Sequence, residues 1–113
     1  MHELSICENL LSVIEDTAKA QNFDRVLQVR LAVGPFSGVE TEALRFGFDV
    51  VMKGSLADGA ILEINETQAT AICLDCNANT YVKDRLALCP HCGSFRLKIT
   101  GGKELKIIDL EVE

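Results

Sequence analysis

Two pairs of cysteines constrain this chain more than any other feature of its sequence. They lie in Cys73-Leu74-Asp75-Cys76 and Cys89-Pro90-His91-Cys92, and twelve residues separate the pairs. Each C-x2-C segment can present two thiolates from one tight turn, and two such turns can hold one ion in a tetrahedral S4 site. We therefore predict a zinc site formed by Cys73, Cys76, Cys89 and Cys92. A closed S4 site leaves no open coordination position, which argues for a role in structure or sensing rather than in hydrolysis, and we predict structural zinc.

The residues around the cysteine pairs support this interpretation and leave alternatives open. Asn77 and Gly93 directly follow the two pairs, and both residue types readily adopt the left-handed backbone that such turns often require. The same S4 set suits iron in a rubredoxin-like electron carrier. A thioredoxin-like redox C-x-x-C predicts one pair near a helix N-terminus rather than two matched pairs. A pair of disulfides is disfavoured in a reducing compartment such as the cytosol. His91 is either a solvent-facing residue of its turn or a pH-dependent substitute ligand.

Length, charge and the lack of long apolar runs limit the domain number, the partners and the location that this chain can have. A chain of 113 residues predicts one compact domain, or one domain with a small satellite. The 17 acidic residues exceed the 11 basic ones, and the net charge of −6 argues against a nucleic-acid partner. No apolar run is long enough for a membrane span, and Glu3 stands where a signal peptide would be basic. We expect a cytoplasmic protein, in which five cysteines serve as metal ligands or thiols.

Hydrophobic periodicity predicts an α/β fold. Residues 3–20 carry an amphipathic stripe that includes Cys7, Leu10 and Ile14, and Gln21-Asn22 provides a stop. Residues 25–33 alternate as a strand whose buried face holds the residues Leu27, Val29, Leu31 and Val33. A second, well-buried helix is predicted from about 39 to 53, with Leu44, Phe48 and Val51 on its stripe and Phe46 and Val50 widening it. Gly54-Ser55 closes this helix.

The remaining strands complete the predicted architecture. They span 60–66, 69–73, 95–100 and 104–112, and Gly101-Gly102 predicts a hairpin between the last two. The fold class is thus α/β, with two helices packed on a small mixed β-sheet and an inserted zinc-ribbon module. We assign 1–69 and 98–113 to the α/β domain and 70–97 to the zinc ribbon.

The N-terminus offers a second set of metal ligands. The Met1 amine, the His2 amide and ring, and the Glu3 amide could place four nitrogens around one ion, a set that suits Ni(II) or Cu(II). The first four N–H groups of a helix have no intrahelical partner, so deprotonating these amides breaks no helix hydrogen bond. Glu3 and Glu40 could offset charge or supply oxygen ligands. The alternative is that His2 is simply exposed, and Cys7 is expected to be a small buried hydrophobe.

These features in order resemble the HypA/HybF family over essentially the whole chain. The resemblance rests on the Met-His-Glu start, the segment Gly-Pro-Phe-Ser-Gly-Val-Glu from Gly34, the double C-x2-C and the closing strands. It implies a nickel metallochaperone for [NiFe]-hydrogenase maturation, with Ni(II) as transported ion and Zn(II) as structural ion. Nickel then maps onto His2, with the Met1 amine, the Glu3 amide and nearby Glu40, and zinc onto the four cysteines.

The resemblance also implies partners and marks one departure. The expected partners are the GTPase HypB and the hydrogenase large subunit or its maturation complex, and homodimer formation stays open. Some members carry a histidine after each C-x2-C pair, where this chain has Asn77 and Gly93. This departure argues against the family's histidine-based pH switch at zinc, and it weakens the case for serving urease.

A zinc-ribbon interaction module without metal transport is the rival function. No nucleophile–base set, P-loop or dinucleotide fingerprint is visible, so we predict that the chain is not an enzyme.

Overall fold

The computed structural model describes residues 3–113, which contain two helices in the N-terminal half and six strands, five of them after the second helix. The helices are α1 (Glu3–Gln21) and α2 (Thr41–Met52). The strands are β1 (Val26–Val33), β2 (Ile61–Glu66), β3 (Ala69–Cys73), β4 (Asn79–Val82), β5 (Leu97–Gly101) and β6 (Leu105–Val112). Two helices, small β-sheets and a four-cysteine cluster confirm the predicted fold class.

Contacts divide the chain into two compact units. The first contains the chain up to Leu31, Val39–Ile64 and Ile107–Glu113, and the second contains Ala32–Gly38 and Asn65–Lys106. The second unit includes the loop after β1 and the strands β3, β4 and β5. No helix within residues 3–113 combines the length and apolar character that crossing a bilayer requires.

In the first unit, α1 packs against α2, and the sheet has the order β2-β1-β6. Asn22 adopts φ 57°, and the Phe23 N–H donates to the Ala18 carbonyl, so α1 ends at the predicted stop with a left-handed cap. Gly54 has φ 82° and ends α2 as predicted. The core of this unit consists of Cys7, Leu10, Ile14, Val26, Val29, Leu31, Leu44, Phe48, Met52 and Ala57.

Two predictions about buried residues, one in β1 and one in α2, are wrong. Leu27 was expected on the buried face of β1, yet it is exposed, and the neighbouring Val26 is buried at the start of the strand. Phe46 and Val50 were expected to widen the buried stripe of α2, but they are 73% and 52% exposed. The buried residues of α2 form one stripe, and these two side chains lie outside it. The stripe consists of Leu44, Gly47, Phe48 and Met52.

The second unit holds a three-stranded antiparallel sheet with the order β4-β3-β5. Its small apolar core consists of Ala69, Ala71 and Val82, with the Phe36 side chain and three partly buried residues packed against it. Strand β4, in the gap between the cysteine pairs, was not predicted.

The predicted hairpin between the last two strands is wrong. β5 pairs with β3, whereas β6 lies beside β1 in the other sheet. Gly102, at φ 127°, donates its N–H to the Glu104 carboxylate at 2.8 Å and accepts from the Phe36 N–H at 2.6 Å. The glycine pair therefore directs the chain from one sheet to the other, beside the loop that follows β1.

Candidate metal sites

The first cysteine pair lies in a tight turn at the end of β3. The Asn77 N–H donates to the Cys73 carbonyl at 2.8 Å, and the Cys73 N–H donates to the Ala78 carbonyl at 3.0 Å. Asn77 adopts φ 62°, the left-handed conformation predicted for it. The Cys76 N–H lies 3.5 Å from the Cys73 sulfur, so the turn directs an amide at a ligand atom.

The second pair repeats this geometry. The Gly93 N–H donates to the Cys89 carbonyl and the Cys89 N–H to the Ser94 carbonyl, both at 2.8 Å. Gly93 has φ 77°, as its position in the sequence predicted. His91 lies in this turn with its side chain exposed. The two C-x2-C segments therefore form matched turns, as the matched spacing suggested.

The four sulfurs converge on one point. Cys73 Sγ lies 3.5 Å from Cys92 Sγ, and Cys76 Sγ lies 3.7 Å from Cys89 Sγ. All four ligand atoms lie within 4.8 Å of one another, and none of the cysteines forms a disulfide. A tetrahedral zinc ion with Zn–S bonds of about 2.3 Å would separate its sulfurs by about 3.8 Å. The cluster therefore fits a tetrahedral ion.

The thiols differ in their readiness to ionise. Backbone amides, above all that of Cys76, lower the pKa of Cys73 to about 6. The Ser94 amide favours the Cys92 thiolate, but the sulfur of Cys73 and desolvation outweigh it and raise the pKa of Cys92 to about 12. Close thiolates repel one another, so a cation must displace protons when it binds and its affinity falls as the pH falls.

Charged and polar side chains join the two turns, a feature that sequence reasoning missed. The Asp75 carboxylate accepts hydrogen bonds from Ser94 Oγ and from Arg96 Nη1, the latter at 2.6 Å. The Arg96 N–H in turn donates to Ser94 Oγ at 3.0 Å. The only signal in the sequence is an acid inside the first pair, with a hydroxyl and a base after the second.

The predicted nickel ligands are described only in part. Met1 and His2 lie outside the described residues, and Glu3 is the first residue of α1. The Glu40 N–H donates to Glu3 Oε2 at 3.3 Å, so the structure brings these two predicted residues together. The Glu40 side chain caps α2, with its oxygens accepting from the Glu42 and Ala43 N–H groups at 3.2 and 2.7 Å.

Cys7 is the fifth cysteine and is not part of the four-sulfur cluster. Its side chain is fully buried, as predicted, and its thiol donates to the Leu44 carbonyl at 3.5 Å. Burial, reinforced by the charge of Glu3, raises the pKa of Cys7 to about 11. The thiol therefore stays protonated at neutral pH and acts as a small core residue.

Comparison with known proteins adds a family to this geometry. The family model described as "Hydrogenase/urease nickel incorporation, metallochaperone, hypA" matches residues 1–112. The chain is 58% identical to the hydrogenase maturation factor HypA of Xanthobacter autotrophicus and 56% identical to that of Azorhizobium caulinodans, each over 112 residues and 99% of both chains. It is also similar to the solution structure of the Ni metallochaperone HypA from Helicobacter pylori. That likeness has a TM-score of 0.71 at 26% identity and covers 99% of this chain and 97% of the other.

Proposed function

The chain belongs to the HypA family of nickel metallochaperones, and we propose that it binds Ni(II) at its N-terminus and delivers the ion during [NiFe]-hydrogenase maturation. The observation that carries this proposal is the match of the family model to residues 1–112, which includes the Met1-His2-Glu3 segment. The family is one of maturation factors rather than catalysts, so we propose no enzymatic activity.

The proposed nickel ligands are the Met1 amine, the amide and ring of His2, and the Glu3 amide. Imidazole and amide nitrogens select Ni(II) by geometry, and binding releases protons, so nickel affinity should fall in acid. The hydrogen bond between the Glu40 N–H and the Glu3 carboxylate supports a cation site here, because it places two acids beside the N-terminal turn of α1. The Glu40 oxygens already accept from two amides, so Glu40 would act through its charge rather than as a ligand.

We further propose that Cys73, Cys76, Cys89 and Cys92 hold a structural zinc ion, which the sulfur separations support. The proposal retains a nickel-binding domain (1–69 and 98–113) and a zinc-ribbon domain (70–97). It retains as partners the GTPase HypB and the hydrogenase large subunit or its maturation complex, and it leaves homodimer formation open. It also retains a cytoplasmic location without nucleic-acid or membrane partners. A role with urease is the less favoured extension of the same function.

Elemental analysis combined with nickel titration tests the proposal. The protein must be untagged with its native N-terminus, and His2→Ala is compared with wild type. His91→Ala is the matched control, since it removes the only other histidine from an exposed position. We expect one zinc per chain in all three proteins. We expect one nickel equivalent in wild type and His91→Ala, and none in His2→Ala.

Each alternative gives a different result. Wild-type nickel affinity in His2→Ala would refute the N-terminal site. Zinc without any nickel would leave an interaction module with a zinc ribbon. Iron in the protein together with visible absorption would show that the four cysteines form a rubredoxin-like iron site, because a Zn–S4 site is colourless.

A further inference from the structure

We infer that Asp75, Ser94 and Arg96 form a clasp between the two C-x2-C turns. The clasp fixes the relative positions of the four cysteine sulfurs and slows the loss of the bound ion. This inference rests on the proposed zinc site. It concerns positioning residues, since none of the three is a predicted ligand.

The clasp joins the two turns through side chains. Asp75 lies between the cysteines of the first pair, and its two carboxylate oxygens accept from Ser94 Oγ and Arg96 Nη1. The Leu74 N–H also donates to the Arg96 carbonyl at 2.8 Å, which adds a backbone link between the same segments. These bonds involve no sulfur, so they can form before an ion binds and bring the two halves of the site together.

Two of the three residues also act on the ligand thiols through their backbone amides. The Asp75 amide, after that of Cys76, lowers the pKa of Cys73, and the Ser94 amide favours the thiolate of Cys92. These two sulfurs belong to different turns and lie 3.5 Å apart. The side-chain bond between Asp75 and Ser94 therefore links the two residues whose amides favour the thiolates of this sulfur pair.

Surface exposure limits the expected size of the effect. The side chains of Asp75 and Arg96 are 40% and 57% exposed, and exposed ion pairs contribute little by themselves. Groups that orient metal ligands typically change metal affinity by about 10- to 100-fold. We expect the clasp to contribute at the lower end of this range, so that zinc is released about tenfold faster when the clasp is broken.

Zinc release from the loaded protein to an excess of chelator tests the inference. Asp75→Asn and Ser94→Ala should release zinc about tenfold faster than wild type. Ser94→Thr retains the hydroxyl and should restore the slow rate. Asp84→Asn is the matched control, because Asp84 also accepts a backbone N–H, from Leu86 at 2.8 Å, but does not join the two turns.

A second measurement separates positioning from general destabilisation. Visible absorption of the cobalt-substituted protein reports the geometry of the sulfurs, and it should change in Asp75→Asn but not in Asp84→Asn. The effects of Asp75→Asn and Ser94→Ala should also be strongly non-additive, since both break one network.

Release rates in both variants within twofold of the Asp84→Asn control would overturn the clasp. Additive effects, or a Ser94→Thr protein as fast as Ser94→Ala, would do the same. Failure of wild type to bind one zinc would instead refute the proposed zinc site.

Discussion

Gly34 allows two loops of the second unit to approach each other, and Gly34→Ala should be strongly destabilising. Gly34 is buried, and its N–H donates to the Glu104 carbonyl at 2.8 Å. A Cβ atom here would overlap the backbone carbonyl of Gly102 and lie 2.7 Å from Glu104 Oε2, well inside a contact distance of about 3.5 Å. The loop must move, which would strain or break this hydrogen bond and the one between the Phe36 N–H and the Gly102 carbonyl.

The magnitude follows from these contacts. Overpacking costs about 1–3 kcal/mol, and each lost hydrogen bond adds about 1 kcal/mol, so we expect a loss of about 3–5 kcal/mol in unfolding free energy. Gly38→Ala is the control, because Gly38 has φ 78° and nothing within 4 Å of its added Cβ. It should lose only the left-handed strain, about 1–2 kcal/mol.

Urea unfolding of the zinc-saturated proteins distinguishes the two variants. With a slope of about 2 kcal/mol/M, the midpoint of Gly34→Ala should fall by roughly 2 M and that of Gly38→Ala by less than about 1 M. Equal midpoints for the two variants, or a Gly34→Ala protein as stable as wild type, would refute the argument that close backbone approach requires this glycine.

Two further predictions concern the second unit. Cys89→Ala should abolish zinc binding and unfold the ribbon, since metal affinity there is folding free energy; elemental analysis and circular dichroism measure this, and retained zinc stoichiometry would contradict it. The Gly102 amide, and then the Thr67 hydroxyl, lower the pKa of the Glu104 carboxyl. Its ionised form therefore stabilises the fold above the ordinary carboxyl range, and this contribution is lost as the pH falls through the lowered pKa. The stability difference between wild type and Glu104→Gln should shrink on acid titration in urea melts, whereas a pH-independent difference would be inconsistent with this role.

Features decided by neighbouring residues were predictable from the sequence. The left-handed backbone of Asn77 and Gly93 follows from the tight turn that each cysteine pair requires. The same holds for the end of α1 at Asn22 and the end of α2 at Gly54, where one residue type and one local turn suffice. The convergence of the four cysteines was also predictable, because two C-x2-C turns can together hold one ion in a tetrahedral S4 site.

Long-range pairing was not predictable in the same way. Gly101-Gly102 is a strong local signal for a hairpin, yet β5 pairs with β3 and β6 lies beside β1. A turn signal shows where the chain bends but not which strand lies next to it. The exposure of Phe46 shows the same limit, because periodicity identifies an apolar side chain without showing whether another element covers it.

The sequence by itself therefore determined which four cysteines form a shared cluster, since ligand type and spacing are local properties of the chain. Only the tertiary structure decided which contacts support the candidate ligands. The Asp75–Ser94 bond spans 19 residues and the Glu3–Glu40 bond spans 37, and neither has a periodic or spacing signal. Such contacts arise when packing of the whole chain brings distant polar groups together, so they become visible only in the folded molecule.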